Sequence, residues 1–144
     1  MKTVRQLLEN KGRTILSIAP DAPVYDALVI MAEKQVGALL VMEGDRLAGI
    51  FSERDYAREV ALKGKTSRDT PVSDVMTPQS CVITITPDDT VESCMNLVND
   101  KRIRHLPVIE AGQVVGVLSI GDLVKETITH QRFLIDQLES YIKS

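Results

Sequence analysis

Apolar positions along the chain fall into short segments, and the same series of segments occurs twice. Val24, Ala27, Leu28, Met31 and Ala32 recur at i, i+3, i+4, i+7 and i+8, which predicts one apolar face of a helix. Asp21 is its candidate N-cap, with Pro23 in the first turn. Val91, Cys94, Met95 and Val98 repeat that face further on. Two apolar runs follow each helix, at 38–42 and 47–51 in one copy and at 106–109 and 114–118 in the other. Glu43-Gly44-Asp45 and Glu110-Ala111-Gly112 separate the runs, so each pair predicts a strand hairpin with a tight polar turn. Ser52 and Ser119 then each open a helix. After Asp122 the helical pattern runs on to about Lys143, with Val124, Ile128, Ile135, Leu138 and Ile142 near one face.

The two series are copies. Displacing the sequence by 67 positions lays Ile18-Ala-Pro20-Asp21 on Ile85-Thr-Pro87-Asp88, Leu39-Leu-Val41 on Leu106-Pro-Val108, and Gly49 through Asp55 on Gly116 through Asp122. Upstream, an offset of 68 matches Val4, Leu7 and Leu8 to Val72, Val75 and Met76, a short helix before each copy. The polar stretch 63–70 is the expected linker, so residues 1–66 and 67–144 are the expected repeats. One repeat alone would expose its sheet, so the two are expected to pack as one domain about a pseudo-twofold axis. Clefts between such copies are natural ligand sites.

Composition narrows the function. A chain of 144 residues buries roughly 70% of its unfolded surface, enough for one core. Net charge is −3 and basic residues are scattered, which argues against a nucleic-acid-binding face. Three Tyr, two Phe and no Trp argue against a base-stacking platform. No apolar run reaches the length of a membrane span, and the N-terminal residues lack the apolar stretch of a signal peptide. Cys81 and Cys94 form no metal or redox motif, and Cys94 lies on the apolar helical stripe. A reducing, cytoplasmic setting fits that usage.

The main chemical signal is Gly-h-h-Ser-x-x-Asp (h apolar) at Gly49–Asp55 and Gly116–Asp122. Ser-x-x-Asp after a strand reads as a capping box, Ser at the N-cap and Asp at N3. A second reading is compatible with the first. A helix start offers N–H groups to a phosphate, and a carboxylate one turn in accepts hydrogen bonds from a ribose diol. Arg104 and His105 enter the strand after the second helix, where the first copy has Gly37 and Ala38; Arg54 corresponds to Gly121. Each copy thus carries its basic groups differently, which predicts two pockets of unlike phosphate chemistry. Lys63-Gly64-Lys65-Thr66 is no phosphate loop, because Glu59 stands where Gly is needed. His105 and His130 have no metal-ligand partners at useful spacing, and no nucleophile–base set is evident, so neither metal nor catalytic residues are assigned.

Together these residues resemble the paired cystathionine-β-synthase (CBS) domain module, in its small stand-alone form. The resemblance rests on Pro-Asp-x-x-Val at Pro20 and Pro87, Val75-Met-Thr-Pro78, Phe51-Ser-Glu-Arg-Asp-Tyr56, Ile103-Arg-His-Leu-Pro-Val108 and Gly116-Val-Leu-Ser-Ile-Gly-Asp122. It implies an α+β fold of two β-α-β-β-α repeats, with adenosine clefts between them. It implies that Asp55 and Asp122 hold ribose diols, with Ser52 and Ser119 near the phosphates. Arg54, Arg104 and His105 match positions that contact phosphate in relatives. Backbone groups around Ser17–Ile18 and Thr84–Ile85 would hold the base. AMP, ADP, ATP, NAD(H) and S-adenosylmethionine all fit such recognition, none of them as a catalytic cofactor. The resemblance also implies a homodimer and a regulated partner protein, in some relatives a redox protein such as thioredoxin.

Three functions compete. The first is a sensor that binds adenine nucleotides and modulates a partner in trans. The second is a ligand-independent assembly module whose motifs only cap helices. The third is an enzyme, disfavoured by the missing catalytic set. Two complete motifs with basic groups nearby favour the first.

Overall fold

The computed structural model describes residues 2–143; Met1 and Ser144, the outer ends of the two expected repeats, lie outside them. The elements run α1 (Val4–Lys11), β1 (Ser17–Ile18), α2 (Val24–Lys34), β2 (Ala38–Glu43), β3 (Arg46–Ser52), α3 (Glu53–Asp55), β4 (Thr77–Pro78), α4 (Val91–Lys101), β5 (His105–Glu110), β6 (Gln113–Ser119) and α5 (Ile120–Lys143). They form two compact units. One holds residues 15–83 with 112–114; the other holds the residues up to Thr14, then 84–111, and those from Val115 onward.

In the unit containing residues 15–83 the sheet order is β1-β2-β3-β4. β1 joins β2 in parallel, β2 and β3 form the expected hairpin, and β4 adds antiparallel to β3. Leu39, Leu40 and Val41 are buried in succession, so both faces of β2 are covered. Val24, Ala27 and Met31 of α2 pack with Leu39, Val41 and Phe51; Val60, Val72 and Val75 complete this core. Ala32, expected on the same helical face, is exposed. The N-cap of α2 is Pro23, not Asp21. No capping side chain is needed there, because Val24 N–H donates to the Thr70 carbonyl and Tyr25 N–H to that of Ser67. The helix opened by Ser52 is one α turn that passes into a π-helix over Tyr56–Ala61.

The other unit has a β5–β6 sheet, with Ile85 bridging in parallel to Val108. Its buried residues include Val91, Cys94, Leu106, Val108, Leu118 and Leu123. Burial pushes the Cys94 thiol up to about 11. Thr90 caps α4 through its side chain. α5 is a single helix of 24 residues, and among its exposed residues are Val124, Ile128, Ile135, Leu138 and Ile142.

The segment before each repeat crosses to the other one. By chain order α1 was expected with the first repeat; it lies instead in the unit built on the second. Val4 N–H donates to the Asp89 carbonyl and Arg5 N–H to that of Pro87, and Val91 N–H donates to the Lys2 carbonyl. Arg5 also pairs with Asp88 and Glu110, which raises its guanidinium pKa, the hydrogen bond to Glu110 contributing most. The lead-in to the second repeat does the same on the first. Val72 N–H donates to the Ala22 carbonyl, Ser73 N–H to Pro20, and Val24 N–H to Thr70. The repeated Pro-Asp-x-x-Val segment is therefore a docking edge in each unit. Its carbonyls satisfy the N–H groups at the start of an incoming helical turn.

Candidate ligand sites at the two motif carboxylates

Each element of Gly-h-h-Ser-x-x-Asp has a local physical reason. The Ser ends a strand in extended backbone, and its hydroxyl accepts from the Asp N–H, at 3.2 Å in both copies. The Asp returns the bond: Oδ2 of Asp55 accepts from Ser52 N–H at 3.0 Å, and Oδ2 of Asp122 from Ser119 N–H at 2.8 Å. Both Ser hydroxyls also lie 3.0 Å from that oxygen. The capping reading is therefore correct for both motifs. It engages one carboxylate oxygen, Oδ2, and makes no use of Oδ1.

The glycine admits the crossing segment. A methyl group on Gly49 would stand 2.3 Å from the Thr77 carbonyl oxygen, and one on Gly116 would stand 2.7 Å from the Leu8 side chain. This close approach brings a donor to each carboxylate. In the first copy the Thr77 hydroxyl donates to Asp55 Oδ1 at 3.1 Å. In the second the Lys11 ammonium donates to Asp122 Oδ2 and to the Val117 carbonyl, both at 2.6 Å. Among the described residues no hydrogen bond reaches Asp122 Oδ1. Burial by itself raises the Asp122 pKa. The Lys11 ammonium and the Ser119 N–H and hydroxyl outweigh it and hold the carboxyl below its ordinary value.

The other expected site residues lie in the same units as the two motifs. Ser17 pairs with Leu40 and Ile18 with Val41, two positions along β2 from the Ala38–Ser52 row. Arg54 is exposed in α3, one residue before Asp55. In the second copy Ile85 N–H donates to Pro107 and its carbonyl accepts from Ile109, with exposed Thr84 preceding it. The Arg104 carbonyl accepts from Ile120 N–H at 2.8 Å, which fixes Arg104 beside the start of α5; its side chain is exposed. Half-buried His105 follows at the first position of β5. Lys11 and Thr77 were missed by the sequence reading as site residues. The signal for them was the motif glycine, which demands a close neighbour, and Thr77 already stood in the Val75-Met-Thr-Pro78 match.

The CBS domain model matches residues 5–62 and 72–128, most of the chain. The chain belongs to the CBS domain family. It is 38% identical to the mitochondrial CBS domain-containing protein CBSX3 of Arabidopsis thaliana, over 98% of this chain and 72% of that one. A crystal structure of a CBS domain aligns with a TM-score of 0.84 at 47% identity, covering 88% of this chain and 98% of its own. A CBS domain protein of Pyrobaculum aerophilum complexed with AMP aligns at 0.74 and 25% identity, covering 89% and 99%. The fold is thus α+β with two tandem CBS repeats, and CBS domain proteins of this stand-alone kind are regulatory. No helix among the described residues is long and apolar enough to cross a membrane.

Proposed function

We propose that this CBS pair is an adenine-nucleotide sensor that binds AMP, ADP, ATP or NAD(H) at the Asp55 and Asp122 motifs and modulates a partner protein in trans. The observation that carries the proposal is the capping geometry itself. Each motif Asp is held by its own Ser through Oδ2, so its carboxylate stands in a fixed orientation at a helix start. That is a preorganised acceptor for a ribose diol, and the exposed Arg54 and Arg104 beside the two motifs suit the phosphates. The AMP complex of the Pyrobaculum protein supports an adenine ligand in general. Ser52 and Ser119 serve the phosphate end, with His105 beside Arg104. Backbone groups at Ser17–Ile18 and Thr84–Ile85 serve the base. No catalytic step is proposed.

The test is calorimetry on the full chain against AMP, ADP, ATP, NADH and S-adenosylmethionine. Asp122→Ala should cost about 1.5–3 kcal/mol, the scale of hydrogen bonds to a charged group, or roughly 10- to 150-fold in affinity. Asp55→Ala should weaken the other site alone. The alternative is a ligand-independent assembly module, favoured by the completeness of the two capping boxes. It requires that a folded Asp55→Ala/Asp122→Ala double mutant bind as the parent does, or that the parent bind none of these ligands below millimolar.

The regulated partner, on this reading, is a redox-related protein of a reducing compartment. The cytoplasm suits the two free thiols, although the Arabidopsis relative is mitochondrial by name. The exposed apolar face of α5 is assigned to a twofold homodimer. Light scattering at micromolar concentration should return twice the 15.9 kDa chain mass. A monomer mass would remove this assignment.

A further inference from the structure

The two motif carboxylates are closed by chemically different donors. Asp55 receives a neutral hydroxyl from Thr77, whereas Asp122 receives a cation from Lys11. Both donors arrive on the crossing segment, packed against the motif glycine of the same unit. The Lys11 ammonium spends two of its three N–H groups on Asp122 Oδ2 and the Val117 carbonyl, and its side chain remains 38% exposed. It is therefore bound at the site yet open to solvent on its remaining side.

A diol that chelates Asp122 through both oxygens adds a donor to Oδ2, which already accepts from Ser119 and Lys11, and the Lys11 ammonium is the partner that can leave without opening the cap. A nucleoside returns only neutral hydroxyl oxygens, so the ammonium loses its charge-assisted bond. A phosphorylated nucleoside brings a new anion, and the flexible lysine stem lets the same ammonium turn to it. Exchange of one charge-assisted bond for another is nearly neutral, and loss without replacement is not. At Asp55 no such exchange exists, because a threonine hydroxyl re-pairs readily with water.

We propose that Lys11 is a specificity-determining residue of the Asp122 site, a latch that admits phosphorylated adenine ligands and disfavours the bare nucleoside. This rests on the sensor reading of the Asp122 motif. Lys11 lies outside the repeated motifs, and its charge distinguishes the Asp122 site from the Asp55 site.

The experiment isolates the Asp122 site in an Asp55→Ala background and measures adenosine and AMP by calorimetry. Lys11→Met keeps the aliphatic stem and removes the charge; Lys11→Arg keeps the charge. The ratio of AMP to adenosine affinity should fall by about three- to tenfold in Lys11→Met, with adenosine binding more tightly than before. Lys11→Arg should retain most of the ratio. Circular dichroism of both variants verifies folding, and Lys11→Gln replaces Lys11→Met if the latter does not fold. An equal gain for both ligands would mean that Lys11 only competes for the carboxylate, and the proposal falls. Unchanged binding of both ligands also overturns it. Failure of the background protein to bind either ligand overturns the sensor reading first, and the latch with it. AMP binding that survives Asp122→Ala shows that the ligand lies elsewhere, with the same consequence.

Discussion

Gly49→Ala and Gly116→Ala make the same change at equivalent positions, and the structure gives them different costs. At Gly49 the new methyl would lie 2.3 Å from the Thr77 carbonyl oxygen, 3.0 Å from Met76 Sδ and 3.2 Å from the Thr77 carbonyl carbon. Ordinary contact begins near 3.4 Å, so β4 must retreat by about 1 Å. The obstacle is backbone and cannot rotate away. Retreat breaks the pairing of Gly49 with Pro78 and of Ile50 with Thr77, and it separates Thr77 from Asp55. Overpacking of this kind costs about 1–3 kcal/mol, and each lost hydrogen bond about 1 kcal/mol more. About 3 kcal/mol in total is expected for Gly49→Ala. At Gly116 the methyl meets the Leu8 Cδ atoms at 2.7 and 3.1 Å, the tip of a side chain that is buried but can change rotamer. About 1 kcal/mol is expected there. The unfolded-state entropy gain of Ala over Gly, about 0.4–1 kcal/mol, enters both and cancels in the comparison. Thermal and urea unfolding measure the difference. At this chain length about 4 °C accompanies each kcal/mol, so Gly49→Ala should melt roughly 8 °C below Gly116→Ala. Equal midpoints, or a more severe Gly116→Ala, would refute the assignment of the motif glycine to close backbone approach in the first copy.

Lys11→Met should lower stability near neutral pH by about 0.5–1 kcal/mol, a modest figure because Lys11 is more than a third exposed. The Asp122 carboxyl has a lowered folded pKa, so its contribution is complete above the unfolded carboxylate range and is lost as pH falls through the folded value. The gap between parent and variant should therefore close below about pH 4, read by urea midpoints across pH; a gap independent of pH would exclude the ion pair as its source. A thiol reagent at pH 8 should modify exposed Cys81 in the native protein and reach Cys94 only after unfolding, because burial holds the Cys94 thiol at about 11. Two fast-reacting native thiols would contradict the packing of α4. Truncation after Thr129 removes the exposed Ile135, Leu138 and Ile142, and light scattering should then report a weakened dimer; an unchanged mass would place the dimer seam elsewhere.

Periodicity and duplication in the sequence were enough to define the repeated elements. Apolar runs, helical spacing and two polar turns placed both hairpins within a residue or so of their observed ends, because those signals are local. The Ser-x-x-Asp boxes were legible for the same reason, since each closes within one turn. Tertiary structure alone decided what the apolar faces pack against. Val4, Leu7 and Leu8 declare a face to be buried, but hydrophobic burial has no direction and cannot say which repeat supplies the partner. The chain crosses over because each Pro-Asp-x-x-Val edge offers carbonyls to the lead-in of the other copy, a pairing across many residues that no window of sequence contains. That crossing carries Lys11 to Asp122, 111 positions away, and Thr77 to Asp55. The sequence thus determined two carboxylates in equivalent motifs with unlike basic groups beside them; the fold added a difference that no motif contains, by delivering a cation to one carboxylate and a hydroxyl to the other.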